Sequence, residues 1–105
     1  MKTGDVAALV MKKKLCAGGE LDEKRYLCEV LSYDAKKKSI FLVVEKYMLQ
    51  EFSLDAIYDC TIKEDENIIS CTGRIRERYC DQHGKVLKIE INNGFYKINV
   101  KSVDK

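Results

Sequence analysis

The fold is decided by residues 26–45, which read YLCEVLSYDAKKKSIFLVVE. This stretch contains two runs, Tyr26–Tyr33 and Ser39–Glu45, that are rich in the β-branched and aromatic residues typical of strands. Between them, residues 34–38 are polar and charged, as expected of a turn. The pattern predicts two antiparallel strands joined by a charged turn.

Runs of the same kind continue through the rest of the sequence, separated by polar turns at residues 64–67, 81–84 and 92–94. These further runs are Ile57–Lys63, Ile68–Tyr79, Val86–Ile91 and Phe95–Val103. No helix-length crossover separates the strands, which argues against a parallel sheet. We therefore predict a mainly β fold for residues 1–105 as a single domain: a small antiparallel split β-barrel of about six strands, with a sandwich as the alternative.

The segment before these strands is compatible with two structures. Several apolar residues fall near one face of a helix: Val6, Leu9, Val10 and Cys16. Thr3 or Asp5 would cap such a short helix over residues 5–16, and Gly18-Gly19 would end it. A strand over Val6–Met11 is the alternative.

Charge and apolar content exclude several broad classes of protein. The 19 basic and 17 acidic residues give a net charge of +2, which provides no overall attraction to nucleic acid or membrane. No apolar run approaches the roughly 18–20 residues that span a bilayer, and residues 6–11 are too short for a signal sequence. We expect a cytoplasmic protein without a membrane span.

The cysteines are odd in number, and no two form a C-x-x-C pair. A disulfide framework usually has an even number, and a structural zinc site usually has paired spacing. We expect reduced thiols that pack as small apolar groups. The five are Cys16, Cys28, Cys60, Cys71 and Cys80.

No catalytic signature stands out. The only histidine, His83, lies near Cys80 and Asp81 in the turn DQHG, where an exposed turn residue is favoured over a Cys–His catalytic pair. The acidic residues 64–66 lack the alternating spacing of a calcium loop and are typical of a solvated turn. We assign no catalytic, cofactor-binding or metal-binding residue, and we expect no enzyme activity.

The stretch TGRIRERY, residues 72–79, carries the most informative polar pattern. On a strand, Arg74, Arg76 and Arg78 share one face. Three guanidinium groups in a row are candidates for binding an anion or a partner. The alternative is structural, because acidic residues on neighbouring strands would neutralise them; the candidates are Glu64, Glu66 and Glu90.

Two lysine clusters, residues 12–14 and 36–38, add local positive charge. Aromatic residues are interleaved with the charged ones: Tyr33, Tyr47, Tyr58, Tyr79 and Tyr96. Bases of single-stranded nucleic acid stack on such side chains, so a small OB-like barrel that binds nucleic acid is one functional alternative. Ordinary packing of tyrosines in a small barrel is the other interpretation.

The strand order and spacing over residues 26–91 resemble the PilZN, or YcgR-like, N-terminal domain of bacterial flagellar-brake proteins. The matching elements are YLCEVLSYDAKKKSIFLVV (residues 26–44), a connection ending at residues 55–58, CTGRIRERY (71–79) and KVLKIEI (85–91). The span from residue 26 to residue 91 covers about two-thirds of the chain. The resemblance implies a split β-barrel that senses or transmits a signal next to a PilZ domain that binds cyclic di-GMP.

The resemblance carries over no nucleotide-binding residue. The D/N-x-S-x-x-G motif of PilZ domains does not occur here, and Arg74–Arg78 spells R-x-x-x-R within a predicted strand. We therefore expect a non-enzymatic regulatory or protein-interaction module, linked to cyclic di-GMP signalling without binding the nucleotide itself. Its expected partner is another protein or domain, and a homodimer stays open. The alternatives are the OB-like nucleic-acid binder and a flavin-binding split-barrel protein.

Overall fold

The computed structural model describes residues 1–15, 21–92 and 94–98. Within these residues the chain forms strands and one short 3₁₀ turn, Leu49–Glu51, but no α-helix. The strands are β1 (Val6–Lys14), β2 (Arg25–Asp34), β3 (Ser39–Val43), β4 (Ala56–Glu64), β5 (Asn67–Asp81), β6 (Gly84–Ile91) and β7 (Tyr96–Ile98). The predicted mainly β, antiparallel fold is confirmed. No helix in the described part of the chain has the length and apolar character needed to cross a membrane.

The strands form one antiparallel sheet in which six of them close into a ring. The order is β4-β1-β2-β3-β6-β5, and β5 pairs back with β4. Strand β5 makes this closure because it is 15 residues long, and its first half pairs with β4 while its second half pairs with β6. β7 lies outside the ring, paired with the start of β5.

The core fills the inside of the ring, and the strands supply it at every second residue. On β4 the buried side chains are Tyr58, Cys60 and Ile62, while the residues between them are partly exposed. β6 contributes Leu87, Ile89 and Ile91 in the same way. Burial of these alternating apolar side chains is the main force that holds the ring closed.

The N-terminal helix is the one element of the fold expectation that the structure corrects. Residues 6–14 form β1, which pairs with β2 on one edge and with β4 on the other. The residues that β1 contributes to the core cluster, Ala7, Leu9 and Met11, follow a period of two. Ala8 is also buried but lies outside this cluster, and Val6 is exposed. Two ladders of backbone hydrogen bonds outweigh a weak helical pattern. Cys16 and Gly18-Gly19 lie outside the described residues.

The strand boundaries lie within a few residues of the predicted ones. The charged turn at 34–38 joins β2 to β3, and Lys38 adopts a positive φ of 51° there. The last predicted strand, Phe95–Val103, is described as β7 as far as Ile98, and its remainder lies outside the described residues.

Candidate functional site

One end of the ring is covered by residues 44–55, which connect β3 to β4. Phe52 is fully buried, with its ring centroid 4.6 Å from that of Tyr26. Next to it, the backbone N–H of Ser53 donates a hydrogen bond of 2.9 Å to the hydroxyl of Tyr58. The connection is therefore anchored by the buried ring of Phe52 and by a hydrogen bond to the core residue Tyr58.

Charged side chains near Phe52 form a hydrogen-bond network. Asp22 accepts hydrogen bonds from the Tyr26 hydroxyl, at 2.5 Å, and from the Lys24 backbone N–H, at 3.0 Å. Glu51 accepts from Lys24 Nζ at 3.1 Å and from the Met48 backbone N–H at 3.0 Å. The hydrogen bond from Tyr26 lowers the pKa of Asp22, and the one from Met48 lowers the pKa of Glu51. Each carboxylate thus has both oxygens engaged.

A β-bulge at Arg76 changes the predicted arrangement of the three arginines. In the β5–β6 ladder Ile75 pairs with Ile89 and Glu77 pairs with Lys88, which leaves Arg76 without a partner position. A bulge of this kind inserts one residue and shifts the alternation of side chains after it.

The shift separates Arg78 from Arg74. Arg74 lies opposite Glu90, whereas Arg78 lies opposite Leu87, a core residue. Directly opposite residues share a face of the sheet, so Arg78 leaves β5 on the side that faces the ring. The prediction that all three arginines share one face is therefore wrong for Arg78.

Two of the arginines, Arg74 and Arg78, contact the connection 44–55, whereas Arg76 contacts β6. Arg74 Nε lies 3.4 Å from the carbonyl oxygen of Leu54, and Arg76 Nε donates to Glu90 Oε1 at 2.8 Å. The third guanidinium donates through Nη1 to the carbonyl oxygens of Phe52, at 2.7 Å, and Leu49, at 3.4 Å. Anion or partner binding by Arg74, Arg76 and Arg78 stays a prediction.

Of the acidic partners predicted for the three arginines of β5, Glu90 pairs with Arg76, as the structural interpretation requires. Glu64 instead pairs with the amino group of Met1. Glu66 is exposed in the β4–β5 turn. The charge of the middle arginine, Arg76, is thus neutralised by Glu90, while the guanidinium of Arg78 reaches the covered end of the ring.

Arg78 lines a polar cleft of about 480 Å³ between the connection and the end of β1. The residues that line it are Met11, Lys14, Asp22, Gln50, Glu51, Phe52, Ser53, Leu54, Asp55 and Arg78. Sequence analysis singled out two residues of this set, Arg78 and Lys14 of the lysine cluster 12–14. Residues 50–55 come from the connection, and no local pattern links them to Met11, Asp22 or the other two residues.

The structure places the other candidate reactive side chains, His83 and Cys80, at the surface. His83 is exposed, and its backbone N–H and Nδ1 lie 2.8 and 3.3 Å from Asp81 Oδ1. This agrees with the prediction of an exposed turn residue. Cys80 is also exposed. Within residues 1–15, 21–92 and 94–98, no three His, Cys, Asp or Glu side chains are grouped so that they could hold a metal ion.

The features that suggested nucleic-acid binding lie apart. Lys14 at the end of β1 pairs with Ala56, at the covered end of the ring, whereas residues 36–38 form the turn at the opposite end. The tyrosines are likewise dispersed. Tyr58 is buried in the core, Tyr47 packs on Tyr26, Tyr33 packs on Phe95, Tyr79 pairs with Val86, and Tyr96 lies on β7. The structure therefore does not bring these groups together on one surface.

A strand edge forms a second candidate site. β7 pairs with β5 along one edge, with Tyr96 opposite Ser70 and Ile98 opposite Ile68. In the described part of the chain no strand pairs with its other edge. Tyr96 and Ile98 are exposed. Within the described residues, β7 therefore presents apolar side chains beside a backbone edge that pairs with no strand.

The chain was compared with known families and structures. No protein-family model, curated protein or solved structure matches it. The resemblance to the PilZN domain therefore stays a prediction.

Proposed function

We propose that the chain is a non-enzymatic, regulatory protein-interaction module that binds another protein or domain through β7. As the resemblance to the PilZN domain implies, the proposed partner is a PilZ domain that binds cyclic di-GMP. The module itself does not bind the nucleotide in this proposal.

The observation that carries the proposal is the edge of β7. An unpaired strand edge offers N–H and C=O groups to an incoming strand, and alternate side chains give the contact its specificity. Ile69 is buried in the core, so Ile68 and its cross-strand partner Ile98 face outward. Tyr96 lies on the same outward face, because it is two residues from Ile98. Backbone groups and an apolar face thus occur together.

The test is a calorimetric titration of the purified chain with a PilZ-domain protein, carried out once with and once without cyclic di-GMP. The double variant Tyr96→Lys/Ile98→Lys places two charges on the edge. These residues are 56% and 41% exposed, so the fold should tolerate the change. A matched control is Val6→Lys/Leu27→Lys, because these residues are 51% and 46% exposed.

We expect the wild type and the control to bind the PilZ domain and the β7 variant to lose binding. Equal binding by all three proteins would remove β7 from the interface, and no binding by any of them would contradict the choice of partner. Heat released when cyclic di-GMP is added to the chain alone would contradict the statement that the module does not bind the nucleotide. Circular dichroism spectra of all three proteins check that the strands are retained.

A further inference from the structure

The polar cleft at the covered end of the ring has features of a ligand site that are independent of β7. The first is the orientation of Arg78. Its Nη1 is held by the carbonyl oxygens of Phe52 and Leu49. Among the described residues, its Nε and Nη2 donate no hydrogen bond, because both of the bonds that Arg78 makes run through Nη1. These two N–H groups form the fork that binds a carboxylate with two parallel hydrogen bonds.

The second feature is that the guanidinium is fixed before a ligand arrives. Two backbone carbonyls hold it against the connection, so little side-chain freedom is lost on binding. A flexible surface arginine lacks this advantage. The positioned fork therefore favours an anionic group with planar geometry, and a carboxylate has that geometry.

The third feature is the balance of charge. Asp22 and Glu51 line the cleft, but their oxygens are engaged by Tyr26, Lys24 and Met48. Among the described residues, Lys14 and Asp55 make no hydrogen bond or ion pair through their charged groups, and Arg78 bonds only through Nη1 to two carbonyl oxygens. In the described part of the chain Asp22 also has no ion-pair partner, but both of its oxygens accept hydrogen bonds. Two cations and one carboxylate are thus available to a ligand.

We infer that this cleft binds a small zwitterion of the amino-acid class, with its carboxylate on Arg78 and Lys14 and its ammonium group on Asp55. A doubly charged phosphate fits less well, because three carboxylates line the same cleft. The volume of about 480 Å³ lies in the range of small-molecule sites. Met11 and Leu54 add apolar wall for a ligand side chain, and Gln50 and Ser53 add hydrogen-bonding groups.

The inference is tested by titrating the ¹⁵N-labelled chain with glycine, leucine and glutamate in separate experiments. Acetate and methylammonium serve as half-ligands, and sodium chloride at equal ionic strength controls for salt. We expect saturable shifts of the backbone amide signals of Ser53, Leu54 and Asp55 with at least one amino acid. Acetate and methylammonium should each bind more weakly than that amino acid. Shifts that do not saturate, or that sodium chloride reproduces, would overturn the inference.

Two variants assign the roles of the two ends of the ligand. Arg78→Lys keeps the charge and removes the fork, so the affinity for the amino acid should fall about tenfold or more. The matched control Arg76→Lys should leave the affinity unchanged, because Arg76 does not line the cleft. An equal loss in both variants would overturn the role of Arg78.

Asp55→Asn tests the ammonium end and does not depend on the fold tolerating a change at Arg78. Asp55 is exposed, and among the described residues no donor bonds to its carboxylate. The variant should bind the amino acid about tenfold more weakly and should keep its affinity for acetate. Unchanged affinity for the amino acid would overturn the zwitterion assignment.

Discussion

Arg78 of β5 lies directly opposite Leu87 of β6, and its guanidinium donates to the carbonyl oxygen of Phe52 at 2.7 Å. Arg78, one of the three arginines of β5, thus holds residues 44–55, which cover one end of the ring. The bulge at Arg76 is the cause, because it shifts every later side chain of β5 to the other face.

This relationship predicts that the arginines differ in their effect on stability. Arg78→Ser should lower the free energy of unfolding by about 1–3 kcal/mol, because the carbonyl oxygens of Phe52 and Leu49 lose a charged donor. Arg76→Ser should cost no more than about 0.5–1 kcal/mol, because its pair with Glu90 is exposed. Urea denaturation of both variants measures the difference. A larger loss for Arg76→Ser would contradict the role of the bulge.

Phe52 tests whether the connection is part of the core. The side chain is fully buried against Tyr26, so Phe52→Ala should destabilise the protein by about 3–5 kcal/mol. Leu54→Ala is the control, because Leu54 is exposed in the same connection and its truncation should cost about 0.5 kcal/mol or less. Thermal denaturation of the two variants compares them, and similar midpoints would show that the connection contributes no core packing.

Gly73 marks the point where β5 passes from β4 to β6. A Cβ atom there would lie 2.6 Å from the carbonyl oxygen of Glu90 and 2.7 Å from Ile89 Cγ2. Gly73→Ala should therefore cost about 1–3 kcal/mol through overpacking. Gly94→Ala should be nearly neutral, because in the described part of the chain its Cβ would meet no atom within 4 Å. Equal urea midpoints for the two variants would mean that the ladder adjusts at Gly73 without strain.

The thiols should differ sharply in reactivity. Cys28, Cys60 and Cys71 are buried and Cys80 is exposed, as predicted for the three that lie within strands. In a Cys16→Ser background, a thiol reagent should label one cysteine fast and the other three only after denaturation. Replacing Cys80 by Ser should remove the fast phase. Fast labelling of all four in the native protein would contradict the closed ring.

Stability should fall at high pH. Burial raises the pKa of the Cys28 thiol to about 12, and burial also raises the pKa of Tyr58. The unfolded chain therefore releases these protons first, and its stability relative to the folded state rises with pH. The contribution is fully present below about pH 9 and is lost progressively between about pH 9 and 12.

Urea denaturation at pH 7, 9 and 10 in the presence of a reductant measures this trend. Cys28→Ala removes one of the titrating groups, so its stability should decline less between pH 9 and 10 than that of the wild type. A wild-type stability that stays constant over this interval would mean that neither group is shielded in the folded state.

The agreement between predicted and observed elements varies along the chain. For residues 57–63 the sequence predicted the strand and the packing of the Cys60 thiol, and the structure shows that Tyr58 and Ile62 are buried with it. The segment 6–14 was ambiguous, because its apolar residues suit a helix and a strand. Pairing of β1 with β2 and β4 settled it, and those partners are distant in the sequence.

The sequence by itself determined the strands between residues 26 and 91, the turns at 34–38, 64–67 and 81–84, and the buried thiols within β2, β4 and β5, because these follow from local periodicity and turn chemistry. Only the tertiary structure decided the closure of the ring, the bulge at Arg76 and the cleft around Arg78. Each depends on strand pairing across long separations, and a shift of one residue in that pairing turns a side chain to the opposite face. The physical reason is that local patterns set the conformation of a strand, whereas the pairing register sets which side chains meet.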